Sequence, residues 1–306
     1  HQVSIRYEAS VGGGIPIIAS LTKSLAANEI EEIVGIINGT TNYMLTQMSK
    51  EGLSFDEALA QAQALGYAEA DPTADVGGYD AARKLAIIAS IAFNTRVPLD
   101  RVYIEGITRI TTEDIKYASE LNYVVKLMGI AKDSDDGIEV RVHPALLPKD
   151  HPLAPVDDVY NAIHVSGDAV GDVMFFGRGA GELPTASAVV GDVMSAARYQ
   201  LRGVPGMGSC TCFTEKEIKP MGLTSTKYYI RLNVADRPGV LASIAFVFGN
   251  NDVSLASVIQ KHTTGQAAEI VLVTHDVLEK NLQDALKIIK ELSTVNEVSN
   301  VIRVED

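Results

Sequence analysis

Ala64-Leu-Gly-Tyr-Ala-Glu-Ala-Asp-Pro-Thr-Ala-Asp-Val-Gly-Gly-Tyr-Asp-Ala-Ala-Arg-Lys84 packs four carboxylates and a lysine between two helix-patterned segments. Upstream, Ser54-Phe-Asp-Glu57 is a capping box, which starts a helix that runs through Leu65 and stops at Gly66. Pro72 and the Gly77-Gly78 pair then make a rigid turn, which aims Glu69, Asp71 and Asp75 at a common volume. Downstream, Ala81 to Phe93 is apolar almost all round, the pattern of a buried helix. Asp80 and Lys84 project from its start, four residues apart on one face. Carboxylates suit a substrate ammonium, and a lysine beside them can move a proton to or from oxygen when burial and neighbours set its pKa. The plainer reading of the same residues is a solvated turn and an ordinary helical ion pair.

Outward from this segment, Val3 to Glu8 is strand-like, Ile17 to Ala27 has helical periodicity, and Glu32 to Ile37 suits a short buried strand. Alternating segments around Val124 to Lys132 and Ile138 to His143 predict two sheet strands joined by a hairpin-like turn at Asp133-Ser-Asp-Asp-Gly137. Pro184 to Leu201 forms a helix entered from a glycine-rich loop. The region is therefore mixed, and the fold class is α+β. A composition break follows at Gly203-Val-Pro-Gly-Met-Gly208 and continues through Pro220-Met-Gly222, the mark of a linker. Beyond it the order is strand (228–234), helix (238–249), strand (254–261), strand (268–274), helix (278–292) and strand (295–304), the ferredoxin-like βαββαβ motif. The expected domains are residues 1–202, a linker over 203–226, and residues 227–306.

Four motifs carry a family resemblance. The Glu69 to Lys84 order closely resembles the signature segment of homoserine dehydrogenases. Tyr7-Glu-Ala-Ser-Val-Gly-Gly-Gly-Ile-Pro-Ile-Ile18 resembles that family's strand-turn-helix segment, Asn38-Gly-Thr-Thr-Asn-Tyr43 its substrate-side loop, and Gly177-Arg-Gly-Ala-Gly-Glu-Leu-Pro-Thr-Ala186 its late cofactor-contacting loop. The resemblance implies NAD(P)-dependent interconversion of L-homoserine and L-aspartate 4-semialdehyde in threonine, methionine and isoleucine biosynthesis. Carried over residue by residue, it makes Lys84 the catalytic proton donor and acceptor, with Asp80 holding it. Glu69 would bind the substrate ammonium and Asp75 the hydroxyl end, while Thr40 and Tyr67 line the pocket. Gly66 and Gly181 would let backbone approach the nicotinamide cofactor, NADP or NAD, because glycine has no Cβ. The carbonyls of Glu8, Val11, Gly13 and Ile15 would hold a monovalent cation, usually sodium; carbonyls are hard oxygen donors.

With Asp236-Arg-Pro-Gly-Val-Leu241 at its first strand-helix junction, the C-terminal motif resembles an ACT regulatory domain. Such domains bind an amino acid at a dimer interface. The implied regulatory residues are Asp236, Pro238, Gly239 and Val240, where a helix start offers N–H groups to a carboxylate. By the same resemblance the effector is threonine and the protein a homo-oligomer, a dimer or tetramer. The resemblance also implies a Rossmann unit in front. No strand-linked Gly-x-Gly-x-x-Gly occurs here, and Gly12-Gly-Gly14 lacks the distal acid of that fingerprint. The chain is thus expected to be the catalytic and regulatory remainder of a longer enzyme, inactive alone; the alternative is an oligomerising amino-acid-binding module without catalysis.

Composition narrows the remaining classes. At 306 residues and 46% hydrophobic content the chain can bury a substantial core. A formal charge of −13 argues against a nucleic-acid surface, since phosphate binding draws on clustered Lys and Arg. No apolar run reaches the membrane-spanning length of about 18 residues and no signal peptide is visible, so a cytoplasmic enzyme is expected. Cys210 and Cys212 make neither a disulfide framework nor a zinc site, and His143, His151 and His164 show no metal-ligand spacing.

Overall fold

The computed structural model describes residues 3, 5–204, 210–264 and 267–305. These form two compact units: His1–Thr108 with Lys126–His143 and Pro152–Lys219, and Arg109–Val125 with Pro144–His151 and Pro220–Asp306. Part of the expected linker, residues 205–209, lies outside the described residues. Residues 214 and 218 belong to the first unit by short parallel bridges, Thr95 to Thr214 and Ile138 to Ile218.

The first unit is built on strands β1 (Ile30–Ile36), β2 (Tyr103–Ile104), β3 (Tyr123–Ser134), β4 (Gly137–Pro148), β5 (Tyr160–Gly167) and β6 (Gly171–Arg178), ordered β6-β5-β1-β3-β4, with β2 parallel on β4; residues 123–125 of β3 and 144–148 of β4 belong to the second unit. β1 is central because both sides are paired: Val34 faces Ile130 of β3 and His164 of β5, antiparallel in each case. Its Ile33, Val34 and Ile36 are buried, which fits the apolar run in the sequence. Helices Gly39–Glu51, Phe55–Ala64, Tyr79–Ala92 and Glu182–Leu201 complete the unit. The Ser54/Glu57 capping box is formed. The Tyr79–Ala92 helix buries Leu85, Ile88, Ala81, Ala82 and Ala89 at 2% exposure or less, as its pattern requires.

Three local expectations are corrected. Residues 3 and 5–7 form no strand, and Glu8–Ser10 is a 3-10 turn. The helix expected over Ile17 to Ala27 is regular only at Ile17–Ala19; Ser20–Ser24 widens into a π-helical turn, closed by Leu25 N–H donating to the Ser20 carbonyl at 2.9 Å. Asn38 to Tyr43 is not a loop. Asn38 is an N-cap, its Oδ1 accepting from Thr41 N–H at 2.9 Å, and the helix begins at Gly39.

The second unit carries β7 (Ser225–Ala235), β8 (Leu255–Thr264), β9 (Ala267–Thr274), β10 (Val277–Leu278) and β11 (Val295–Val304), with helices Val240–Asn250 and Glu279–Glu291. The antiparallel order β11-β7-β9-β8 is that of the ferredoxin-like motif, and the two-residue β10, absent from the sequence reading, pairs with β7. Alternation along β7 sends Tyr228, Ile230, Leu232 and Val234 into a core with Ile244 and Phe248 of one helix and Leu282, Leu286 and Ile289 of the other. The opposite face of β7 is also covered. Helix Thr112–Glu120, which sequence reading missed, brings Asp114 against Arg231 at 2.8 Å, and Asn300 Nδ2 donates to the same carboxylate at 2.7 Å.

Candidate active site

The centre of the first unit's site is assembled where β1 runs into the Gly39–Glu51 helix. Asn38, 4% exposed, donates its Nδ2 to Asp75 Oδ1 at 2.7 Å and to Asp80 Oδ2 at 2.9 Å. Asp80 Oδ2 stands 2.6 Å from Lys84 Nζ, which also donates to the Ile37 carbonyl at 3.2 Å. The lysine side chain is 20% exposed, so the ammonium is held from two sides yet open to a ligand. Gly78 makes this geometry possible: its φ of 82° is the left-handed conformation that starts the Tyr79–Ala92 helix directly after the one-turn Thr73–Val76 helix. Asp75 and Asp80 thereby reach one amide from two successive helices.

Burial, with Asp80 beside it, pushes the Asp75 carboxyl above the usual carboxylate range, while Asn38, Lys84 and Thr40 pull the other way. Thr40 Oγ1 donates to the Tyr67 carbonyl at 2.7 Å, and the half-exposed Tyr67 ring packs edge-on against Tyr43 at 4.9 Å. Thr40, Tyr67, Asp75, Asp80 and Lys84 are linked in this way. The expectation that Glu69, Asp71 and Asp75 converge holds only for Asp75. Asp71 is spent locally, its Oδ1 accepting from Thr73 N–H at 3.1 Å, and Glu69 is an exposed carboxylate whose carbonyl accepts from Gln63. Proline at 72 leaves a single helical turn after Asp71, and this turns the three acids apart.

Asn38, the group that joins both acids, entered the sequence analysis only as the start of the Asn38–Tyr43 motif read as a loop; the signal that could have placed it is Asn before Gly-Thr-Thr, an N-cap pattern. Two more buried polar braces were not read. Asn42 Nδ2 donates to the carbonyls of Val156, Asp158 and Tyr160 at 3.0 to 3.1 Å. Lys126 is buried against Asp157 Oδ1 at 2.9 Å; burial pushes its pKa down and Asp157 counters it.

Gly66 and Gly181 both leave open space beside the backbone. Gly66 closes its helix at φ 75° with nothing within 4 Å of where a Cβ would stand. Gly181, at φ 117°, precedes the long Glu182–Leu201 helix without a side-chain cap, and only Pro184 lies within 4 Å of its Cβ position. In the N-terminal loop the Glu8 carboxylate accepts from Ile18 and Ala19 N–H groups at 2.8 Å, and the Ile15 carbonyl accepts from Ile17 at 2.8 Å. Gly12 and Gly13 have φ of 72° and 54°, so the chain turns tightly there. Among the described residues no three His, Cys, Asp or Glu side chains are grouped to hold a metal ion. None of their helices is long and apolar enough to cross a membrane.

In the second unit Gly239, at φ 90°, caps the Val240–Asn250 helix, and Ser243 bonds the Gly239 carbonyl through both N–H and Oγ. Pro238 and Asp236 precede this helix start, and Asp236 accepts from Gln260 at 3.4 Å.

Comparison with known proteins adds an independent line. A family model described as homoserine dehydrogenase matches residues 16–194, and one described as ACT domain matches residues 228–294. A Synechocystis homoserine dehydrogenase is 48% identical over 99% of this chain and 72% of its own length. The crystal structure of a Thiobacillus denitrificans homoserine dehydrogenase superposes with a TM-score of 0.93 at 44% identity, over 98% of this chain and 70% of that one. A hyperthermophilic archaeal homoserine dehydrogenase mutant in complex with NADPH is similar at 31% identity and a TM-score of 0.54, over 63% of this chain and 55% of that one.

Proposed function

The chain belongs to the homoserine dehydrogenase family, an NAD(P)-dependent oxidoreductase with a C-terminal ACT domain, and from that premise we propose the roles its residues take. Lys84 donates the proton to the alkoxide that forms when aspartate semialdehyde is reduced, and accepts it from the homoserine hydroxyl in the other direction. The dinucleotide, when bound, exchanges the hydride. The observation that carries this reading is the Asp80–Lys84 contact of 2.6 Å, with Asn38 fixing Asp80 from behind. An ammonium anchored by one carboxylate and one carbonyl presents its remaining proton in a defined direction.

Asp75 holds the hydroxyl end of the substrate beside Lys84, and Thr40 and Tyr67 close the pocket. Glu69, exposed and free of a local cap, is the carboxylate for the substrate ammonium. Gly66 and Gly181 hold the dinucleotide, NADP or NAD. The carbonyls of Glu8, Val11, Gly13 and Ile15 hold a sodium ion that braces the N-terminal loop. The test uses the complete native polypeptide, following reduced nicotinamide with homoserine as substrate. Wild type turns over, and Glu69→Gln raises KM for homoserine more than it lowers kcat. An unchanged KM would remove Glu69 from the site.

The ACT unit binds threonine as a homo-oligomer, the amino-acid carboxylate taken by the helix start at Gly239 and Val240 beside Asp236 and Pro238. Its support is the matching ACT family and the Val240–Asn250 helix start, where Gly239 at the N-cap brings no side-chain hydrogen bond. L-threonine at millimolar concentration then raises the melting temperature, because a ligand that binds only the folded state stabilises it. No thermal shift and no heat in calorimetry would leave the unit as an oligomerisation module.

A further inference from the structure

We infer that Asn161 is a positioning residue: its buried carboxamide is the anchor that the Gly179–Gly181 backbone engages when the nicotinamide dinucleotide binds. The inference rests on the dehydrogenase reading above. Asn161 is 0% exposed, on β5 opposite Gly177 of β6. Neither its Oδ1 nor its Nδ2 has a hydrogen-bond partner. A buried amide with both ends unspent is costly to keep, and such exceptions call for an explanation.

Its place in the fold supplies one. The three bonds from Asn42 pin residues 156–160 to the Gly39–Glu51 helix, so the strand that presents Asn161 is rigidly placed. A Cβ on Gly179 would fall 1.9 Å from Asn161 Nδ2 and 2.6 Å from Oδ1, and a Cβ on Gly39 would fall 3.6 Å from Oδ1. The amide is therefore wedged between the helix start that carries Thr40 and the glycine-rich loop. On the far side of the loop, a Cβ on Gly13 would fall 2.4 Å from the Gly179 carbonyl oxygen. Gly13, Gly179 and Asn161 are thus stacked with no room for a side chain between them.

This stack puts a peptide backbone, with one donor and one acceptor per residue, directly over an amide that lacks one of each. Gly181 is open on its Cβ side, so the end of the loop has space to turn. A dinucleotide that draws the Gly179–Gly181 peptides into line pairs them with Asn161. The penalty of the unspent amide is then relieved only in the bound state, and the residue contributes to ligand affinity rather than to the stability of the free protein.

The test is steady-state kinetics and thermal melting of Asn161→Ala and of the near-isosteric Asn161→Leu in the complete native polypeptide. The dinucleotide KM is expected to rise about tenfold or more with kcat within about threefold of wild type. The Leu variant is expected to melt at or above wild type, since it removes two unsatisfied polar atoms. Wild-type turnover checks the dehydrogenase reading separately, so its failure would be visible before any variant is compared. A dinucleotide KM unchanged in either folded variant, or a Leu variant that melts well below wild type or does not fold, would overturn the role of Asn161.

Discussion

Lys84→Ala lowers kcat for homoserine oxidation by about 10²-fold or more, while the melting temperature stays close to wild type. The two halves of this expectation have separate causes. Loss of a positioned acid/base raises the barrier because water must carry the proton without the alignment that Asp80 and the Ile37 carbonyl impose on Nζ. Stability is spared because Asp80, whose side chain is 29% exposed, keeps the Asn38 hydrogen bond when Nζ is removed. Lys84→Arg sharpens the test: it keeps the charge, but a guanidinium does not give up a proton near neutral pH, so activity stays low. A kcat near wild type in Lys84→Ala would move the proton transfer elsewhere.

The second large effect falls on the ACT unit. Glu279 is 5% exposed and its carboxylate accepts from Arg303 Nη2 at 3.0 Å, from Arg303 Nε at 3.1 Å and from the Tyr228 hydroxyl. Burial first, and then Glu279, push the Tyr228 phenol well up, so the hydroxyl stays a donor at every working pH. Glu279→Ala takes the carboxylate away from a guanidinium that is itself 4% exposed. Breaking one side of such a buried pair costs about 3–5 kcal/mol, whereas Glu279→Met with Arg303→Met, which removes both charges, costs much less. Urea unfolding of the two variants measures the difference. Equal midpoints for Glu279→Ala and wild type would show that the Arg303 charge is satisfied without Glu279.

Much of the architecture was legible from local chemistry. The Ser54/Glu57 box, the apolar run at β1 and the period-2 strands of the ACT unit each satisfy their own rule over a few residues, so their boundaries fell within a few positions of those observed. Helix Thr112–Glu120 escaped because its buried stripe is short and mixed: Ile115, Tyr117 and Ala118 share it with the charged Asp114, which is buried against Arg231, while the Tyr117 hydroxyl donates to Glu269. Only the Thr111/Asp114 capping box signalled it. The β5–β6 hairpin escaped for a related reason, since β6 alternates between exposed and half-buried and so lacks a core face.

For the site, residue types and spacing determined that Asp80 and Lys84 meet, because four residues on a helix is a contact distance in any fold. Which other groups meet them was a question of tertiary structure. Asn38 is 42 positions from Asp80 and 37 from Asp75, yet it holds both carboxylates, because β1 ends beside the start of the Tyr79–Ala92 helix. Glu69, only six positions from Asp75, turns to solvent instead. The same holds for Asn161, an unremarkable strand residue in sequence that becomes an unspent amide only once Gly39 and Gly179 close over it. Sequence by itself determines what lies within one turn of helix or one strand, where the covalent chain sets the distances. Burial, shared hydrogen bonds and close backbone approach depend on segments far apart in the chain, and only packing decides which of them touch.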